Sequence, residues 1–155
     1  MHLRHLLVAA LLVSVAALSQ TAAPKKAHAD FINGKGEKVG TATITPSGAG
    51  VKIAINVMNL PPGMHALHIH TVGKCDPPDF MTAGGHFNPT MKQHGKDNPQ
   101  GAHAGDLPNF TVAANGKATA TVMDPNVTLG NGANSLFQAG GTAVMIHAHA
   151  GRLQD

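Results

Sequence analysis

Two histidines separated by one residue, His68-Ile69-His70, precede His86, His94, His103 and Asp106, with His147 much later in the chain. On a strand, residues two apart point to the same face, so His68 and His70 project together and can share one metal ion. An isolated His-x-His is more often an ordinary hydrogen-bonded pair. The downstream residues change that balance. His86, His94, His103 and Asp106 offer three imidazoles and a carboxylate, a closed tetrahedral set that suits zinc. His147 ends the apolar run Ala143-Val144-Met145-Ile146 and could give a third nitrogen to the ion held by His68 and His70. A tetragonal, all-imidazole site favours copper(II). His65 precedes the pair by three positions, so it faces away and reads as structural or surface. His149 shares a face with His147. His2, His5 and His28 carry no assignment.

These side chains need a scaffold, and the pattern predicts strands. Val51, Ile53, Ile55 and Val57 alternate with polar or small residues, the cleanest strand pattern in the chain. Ala27, Ala29 and Phe31 alternate with Lys26, His28 and Asp30. Residues 39–45, 65–71 and 142–148 are also β-prone, with Pro46-Ser47-Gly48 breaking the first of these. Residues 110–113 and 117–123 read as a hairpin around Asn115-Gly116. Residues 72–108 form a long loop rich in Gly and Pro, and residues 124–141 form a second. A loop of the first kind is usually functional. It lacks a core of its own, so metal binding is expected to order it. The class is all-β and antiparallel, sandwich or barrel, in one domain.

Composition supports this class and excludes others. Only 12% of the 155 residues are charged, while Gly (18) and Pro (10) are plentiful, which argues against long solvent-facing helices. Trp and Tyr are absent and the net charge of +3 is spread along the chain, so no nucleic-acid partner is indicated. Residues Leu6 to Leu18 are apolar behind a short head containing His2, Arg4 and His5. That run is short for a membrane span and suits a secretory signal, so a stable membrane anchor is not expected. A signal at 1–23, with a cut between 22 and 29, leaves residues 24–155 as the domain and predicts export to a periplasm or the extracellular space. Cys75 is the one cysteine, unusual in an oxidising compartment.

The longer motifs carry a resemblance. Gly-Met-His-Ala-Leu-His-Ile-His from Gly63, Gly-Lys-Cys-Asp-Pro-Pro-Asp-Phe from Gly73, Gly-Gly-His-Phe-Asn-Pro from Gly84 and Asn-Pro-Gln-Gly-Ala-His-Ala-Gly-Asp-Leu-Pro-Asn from Asn98 resemble the secreted bacterial type of copper–zinc superoxide dismutase. Gly140 to His147 matches too, and weaker similarity runs from Phe31 to His149. The resemblance implies a Greek-key β-barrel, often a homodimer, with one copper and one zinc per subunit and superoxide anion as substrate. It implies copper on His68, His70, His86 and His147, and zinc on His86, His94, His103 and Asp106. His86 would bridge the metals as an imidazolate and supply a proton when copper is reduced. Lys74 and Lys92 are candidates for attracting the anion, with ordinary solvated lysines an equal alternative.

The family pattern stops near Ala150. The resemblance implies three further features that the residues after His149 do not display. They are an aspartate linking a copper ligand to a zinc ligand, an arginine beside the copper, and an eighth strand carrying a cysteine partner for Cys75. Arg152 lies too close to His147 to match that arginine. One base removed from plausible codons for Gly151 restores a family-like Ala-Asp-Asp-Tyr continuation, so a one-base insertion is one expected origin. A barrel without its closing strand is expected to be less stable and weaker in dismutation. The competing readings are an exported, non-catalytic copper/zinc buffer or donor, and a barrel that holds zinc alone.

Overall fold

The computed structural model describes residues 26–95 and 97–150. The expected signal at 1–23 and the residues around Arg152 lie outside them. Strand β1 (Ala27–Ile32) pairs antiparallel with β2 (Lys38–Ser47), which pairs with β3 (Gly50–Val57). Burial in β3 follows its sequence: Val51, Ile53, Ile55 and Val57 are buried, and Lys52 and Asn56 are exposed. Side chains on a pleated strand alternate between faces, so this one strand commits a whole sheet face to the core. Each such aliphatic residue contributes on the order of 1.5–3 kcal/mol by leaving water.

Pro46 does not end β2. The strand continues to Ser47, opposite Gly50, and turns at Gly48-Ala49 with Gly48 at φ +58°. Among the described residues the last pair with β1 is Ala27–Ile44, so Pro46 has a described ladder neighbour on the β3 side only. Its missing N–H is tolerated there.

The chain then leaves the first sheet. Strand β4 (Gly63–His65) is separated by Ala66 from β5 (Leu67–His70), and together they form one interrupted run. β4 pairs with β6 (Phe110–Val112), and β5 pairs on its other side with β8 (Ala143–Ile146). β7 (Ala118–Asp124) returns to the first sheet beside β3, giving the order β1-β2-β3-β7. The turn at Asn115-Gly116 therefore does not close a two-stranded hairpin. Its bonds, Ala113 N–H to Lys117 O and Gly116 N–H to Ala113 O, carry the chain from one sheet to the other. The result is the expected antiparallel, Greek-key all-β fold. Its core is shared by the four-stranded sheet and the two-stranded β4-β6 and β5-β8 pairs, and includes Ile53, Ile55, Leu67, Ile69 and Val112.

The long loop has anchors that its composition hid. Phe87 is among the largest fully buried side chains, and Ala83, Ala104 and Leu107 are buried as well. Thr71 N–H bonds Gly85 O, Val72 N–H bonds Ala83 O, and Gly73 N–H bonds Gly140 O in the second loop. The expectation that metal alone orders this loop is corrected. One aromatic side chain in a Gly/Pro-rich stretch reaches the main core.

Among the described residues, β1 pairs only with β2, and β8 only with β5. Between these edges lies an apolar groove of about 210 Å³, bordered by Phe31, Val39, Phe80, Val144 and Ile146, with Cys75 on its wall. The Cys75 thiol is free and half-buried; burial and the adjacent Asp76 push its pKa up.

Candidate metal centre

β5 is the spine of the site. On one side it carries β8, with His68 opposite Met145 and His70 opposite Ala143. On the other side it makes single bridges from His68 to Asp106 and from His70 to His86. Residues directly opposite in an antiparallel ladder share a face. The 72–108 loop thus delivers both His86 and Asp106 onto the face that already holds the His-x-His pair. Ile69 N–H to Gly105 O (2.9 Å) and Phe87 N–H to Ile69 O (2.8 Å) fix that placement. Gly105 is required for it: a Cβ there would lie 2.3 Å from the Ile69 carbonyl oxygen.

Two clusters result. In the first, one ligand atom from each of His68, His70, His86 and His147 lies within 4.8 Å of all the others. His70 Nδ1–H donates to Gly84 O at 2.7 Å, which leaves the Nε2 lone pair free. His68 Nδ1, His70 Nε2 and His147 Nε2 are buried without a hydrogen-bond partner. Such orphaned atoms each cost about 1–3 kcal/mol, so three that converge are donors arranged for a cation. Burial, then the neighbouring His86 and His147, lowers the His68 pKa to about 3. Burial lowers His70 and His147 too. All three rings are kept neutral, the state in which imidazole binds metal.

In the second cluster, Asp106 Oδ1 lies 3.0 Å from His86 Nδ1, 3.2 Å from His94 Nδ1 and 3.4 Å from His103 Nδ1. His103 Nδ1 is 3.3 Å from His86 Nδ1. A tetrahedron with metal–ligand bonds of 2.0–2.1 Å has edges of about 3.3 Å, so these spacings fit one zinc ion. His68 also comes within 4.8 Å of His86, His94 and Asp106. His103 is the better fourth donor, because its spacing matches a tetrahedral edge and the free His68 nitrogen belongs to the first cluster. Asp106 Oδ2 accepts from Gly95 N–H (2.9 Å) and His103 N–H (3.0 Å). Burial opposes charge on Asp106, but the His86 contact, the Gly95 N–H and the nearby His103 and His94 outweigh it, holding the carboxyl well below the usual range.

His86 belongs to both clusters. Its Nδ1 faces the tetrahedral set, which leaves Nε2 for the all-histidine set. The structure therefore brings together every one of the seven residues singled out from sequence. Sequence reasoning missed Gly84, whose carbonyl orients His70, and Gly105, which admits Asp106; Gly105 directly precedes its ligand, whereas no local signal ties Gly84 to His70.

The other histidines stay apart. His65 is buried, 2.7 Å from His147 O and 2.8 Å from Pro61 O, and so props the backbone of a site residue. His149 and Lys74 are exposed, and His28 meets Thr43 Oγ1 at 3.3 Å. Lys92 is exposed beside a polar cavity behind the second cluster, which Asp106 and Asp124 also line.

The sequence profile of copper/zinc superoxide dismutases matches residues 38–155. The chain belongs to this family. Copper–zinc superoxide dismutase 1 of Aquifex aeolicus is 52% identical over 124 residues, covering 79% of this chain and 73% of that protein. The copper–zinc superoxide dismutase of Escherichia coli is 34% identical over 158 residues, covering 94% and 86%. Among solved structures, a superoxide dismutase-like protein of Bacillus subtilis superposes with a TM-score of 0.79 at 37% identity, covering 83% of this chain and 87% of its own. The copper/zinc superoxide dismutase of Brucella abortus gives 0.68 at 27%, covering 84% and 88%. Copper and zinc are the cofactors of this family, and the two clusters suit them.

Proposed function

We propose that this chain converts superoxide to oxygen and hydrogen peroxide, with copper held by His68, His70, His86 and His147 and zinc by His86, His94, His103 and Asp106. The observation that carries this reading is the ring of His86, shared by an all-histidine cluster and a tetrahedral His/Asp cluster. Copper, when bound, supplies one-electron redox chemistry, and zinc supplies charge without redox. The chain does the rest. Gly84 holds His70 in one tautomer, and His65 holds the backbone of His147. Asp106, fixed by two backbone N–H groups, holds His86 by its Nδ1 side. Nε2 of His86 is then the atom at which the site keeps or gives up a proton needed to form peroxide.

Metal analysis combined with superoxide decay by pulse radiolysis tests the reading. One copper and one zinc per chain with rapid decay is expected. His86→Ala should lose rapid decay, and His103→Ala should lose zinc while retaining copper. Retention of zinc by His103→Ala would overturn the zinc assignment.

The same reading assigns residues 1–23 to a secretory signal and 24–155 to the catalytic domain, exported to a periplasm or the extracellular space. The apolar run from Leu6 to Leu18 supports it. A homodimer is the assembly that the family resemblance suggests. Cell fractionation and N-terminal sequencing test the export, and sedimentation tests the assembly.

A further inference from the structure

We propose that the Met145 thioether is an additional soft donor of the copper pocket, engaging copper in its reduced state and not in its oxidised one. This inference rests on the copper assignment above. Met145 stands directly across from His68, two residues before His147. Opposed residues share a face, and so do residues two apart, so Met145, His68 and His147 lie on one side of the sheet. Its neighbours obey the same alternation: Val144 and Ile146, opposite the fully buried Ile69 and Leu67, pack against the core. Direct cross-strand neighbours have Cβ atoms about 4.5–5.5 Å apart, and the His68 and His147 rings are centred 4.8 Å from each other. The unbranched, flexible Met145 side chain thus springs from the floor of the pocket.

Burial sets this residue apart. Met58, Met64, Met81, Met91 and Met123 are all exposed, whereas Met145 is half-buried. All residues from Val144 to Ala148 also border the apolar groove beside β8, whichever face their side chains take, so that contact belongs to the strand edge. The sequence pattern shows Met145 only as an apolar residue of the last strand.

The chemistry rests on ligand softness. Thioethers favour Cu(I), whereas imidazoles serve both oxidation states. Were Cu(I) held by this pocket, Met145 would add a soft sulfur donor beside the imidazoles of His68 and His147. A donor selective for Cu(I) stabilises that state and raises the one-electron reduction potential.

The test uses the zinc-loaded full chain, with Cu(I) titrated anaerobically against a chromophoric Cu(I) chelator and Cu(II) affinity measured separately. Met145→Leu keeps volume and apolarity while removing sulfur. It should weaken Cu(I) binding by about tenfold, the scale of a supporting donor, and leave Cu(II) affinity and zinc content unchanged. That tenfold loss corresponds to a reduction potential about 59 mV lower. Met81→Leu, an exposed control, should change neither affinity. In a ¹³C-methyl-methionine sample, the Met145 methyl resonance should move on Cu(I) addition. Cu(I) affinity equal to wild type in Met145→Leu, with an unmoved methyl resonance, overturns the proposal and leaves the copper assignment standing. Failure of the unaltered chain to bind copper at all would overturn both.

Discussion

Asp106 lies directly across the ladder from His68, while its Oδ1 sits 3.0 Å from Nδ1 of His86. One carboxylate is thus tied by backbone register to a copper-side histidine and by contact to the shared ring. Its Oδ2 is meanwhile occupied by the N–H groups of Gly95 and His103. The proposed zinc cluster and the backbone at Gly95 and His103 are therefore held by the same side chain.

Asp106→Asn keeps the size and removes the charge. It should lower zinc affinity by at least about 10–100-fold, since even outer partners of metal ligands have effects of that size. Copper should still bind, because Asp106 is outside the all-histidine cluster. Zinc competition against a chelator of known affinity checks this; unchanged zinc binding would refute the role given to Asp106.

Gly105→Ala tests backbone approach rather than ligand chemistry. The added Cβ would meet the Ile69 carbonyl oxygen at 2.3 Å, so the 104–107 segment must move away from β5. The cost should be about 1–3 kcal/mol, as for other overpacked sites. Zinc affinity should fall as well, because Asp106 moves with its neighbour. Thermal melts with and without zinc measure both effects. A variant that is destabilised yet binds zinc normally would show that Asp106 does not depend on this contact.

The clustering of these seven side chains was legible because its signals are local. His68 and His70 share a face by strand period, and the loop ligands are residue types with a narrow chemical meaning. What pairs with what across the sheet is not local. The sequence placed Asn115-Gly116 at a turn, yet could not show that the turn joins two sheets, because the choice depends on β6 meeting β4 and β7 meeting β3. Phe87 looked like one apolar residue in a polar loop, and only the fold shows it in the core. Met145 and Asp124 acquire meaning from what lies opposite or around them, which no spacing rule encodes.

Asp124 is buried at the end of β7, with Oδ1 accepting from Asn126 N–H at 2.9 Å and Oδ2 unpartnered. Burial raises its pKa from 3.8 to about 6, against the opposing Asn126 bond. The folded state therefore binds the proton more tightly than the unfolded state. Its ionisation contributes nothing adverse below pH 3.8, destabilises progressively as pH rises from there to about 6, and adds nothing further above that. Asp124→Asn should remove this penalty. In the metal-free protein its melting temperature relative to wild type should rise between pH 4 and pH 7, by the equivalent of up to about 3 kcal/mol. A constant difference across that range would exclude a shifted Asp124.

His68 produces the opposite slope. Its folded pKa of about 3 lies far below the unfolded 6.5, because burial and the rings of His86 and His147 disfavour charge. Above pH 6.5 the ring is neutral in both states and costs nothing. As pH falls below 6.5 the unfolded chain takes up the proton first, so stability drops until the folded pKa is reached. One such residue removes at most about 1.4 kcal/mol per pH unit over that window. His70, His147 and His103 shift in the same direction and steepen the fall. The metal-free chain should therefore lose melting temperature sharply from pH 6.5 toward pH 4.5, and His68→Gln should flatten that curve. Metal should offset the loss, since binding selects unprotonated ligands, but its affinity must itself decline with acid as protons compete for the same nitrogens. Calorimetry of metal-free and loaded protein across this range decides the point: parallel curves for wild type and His68→Gln would mean that His68 is not held neutral in the folded state.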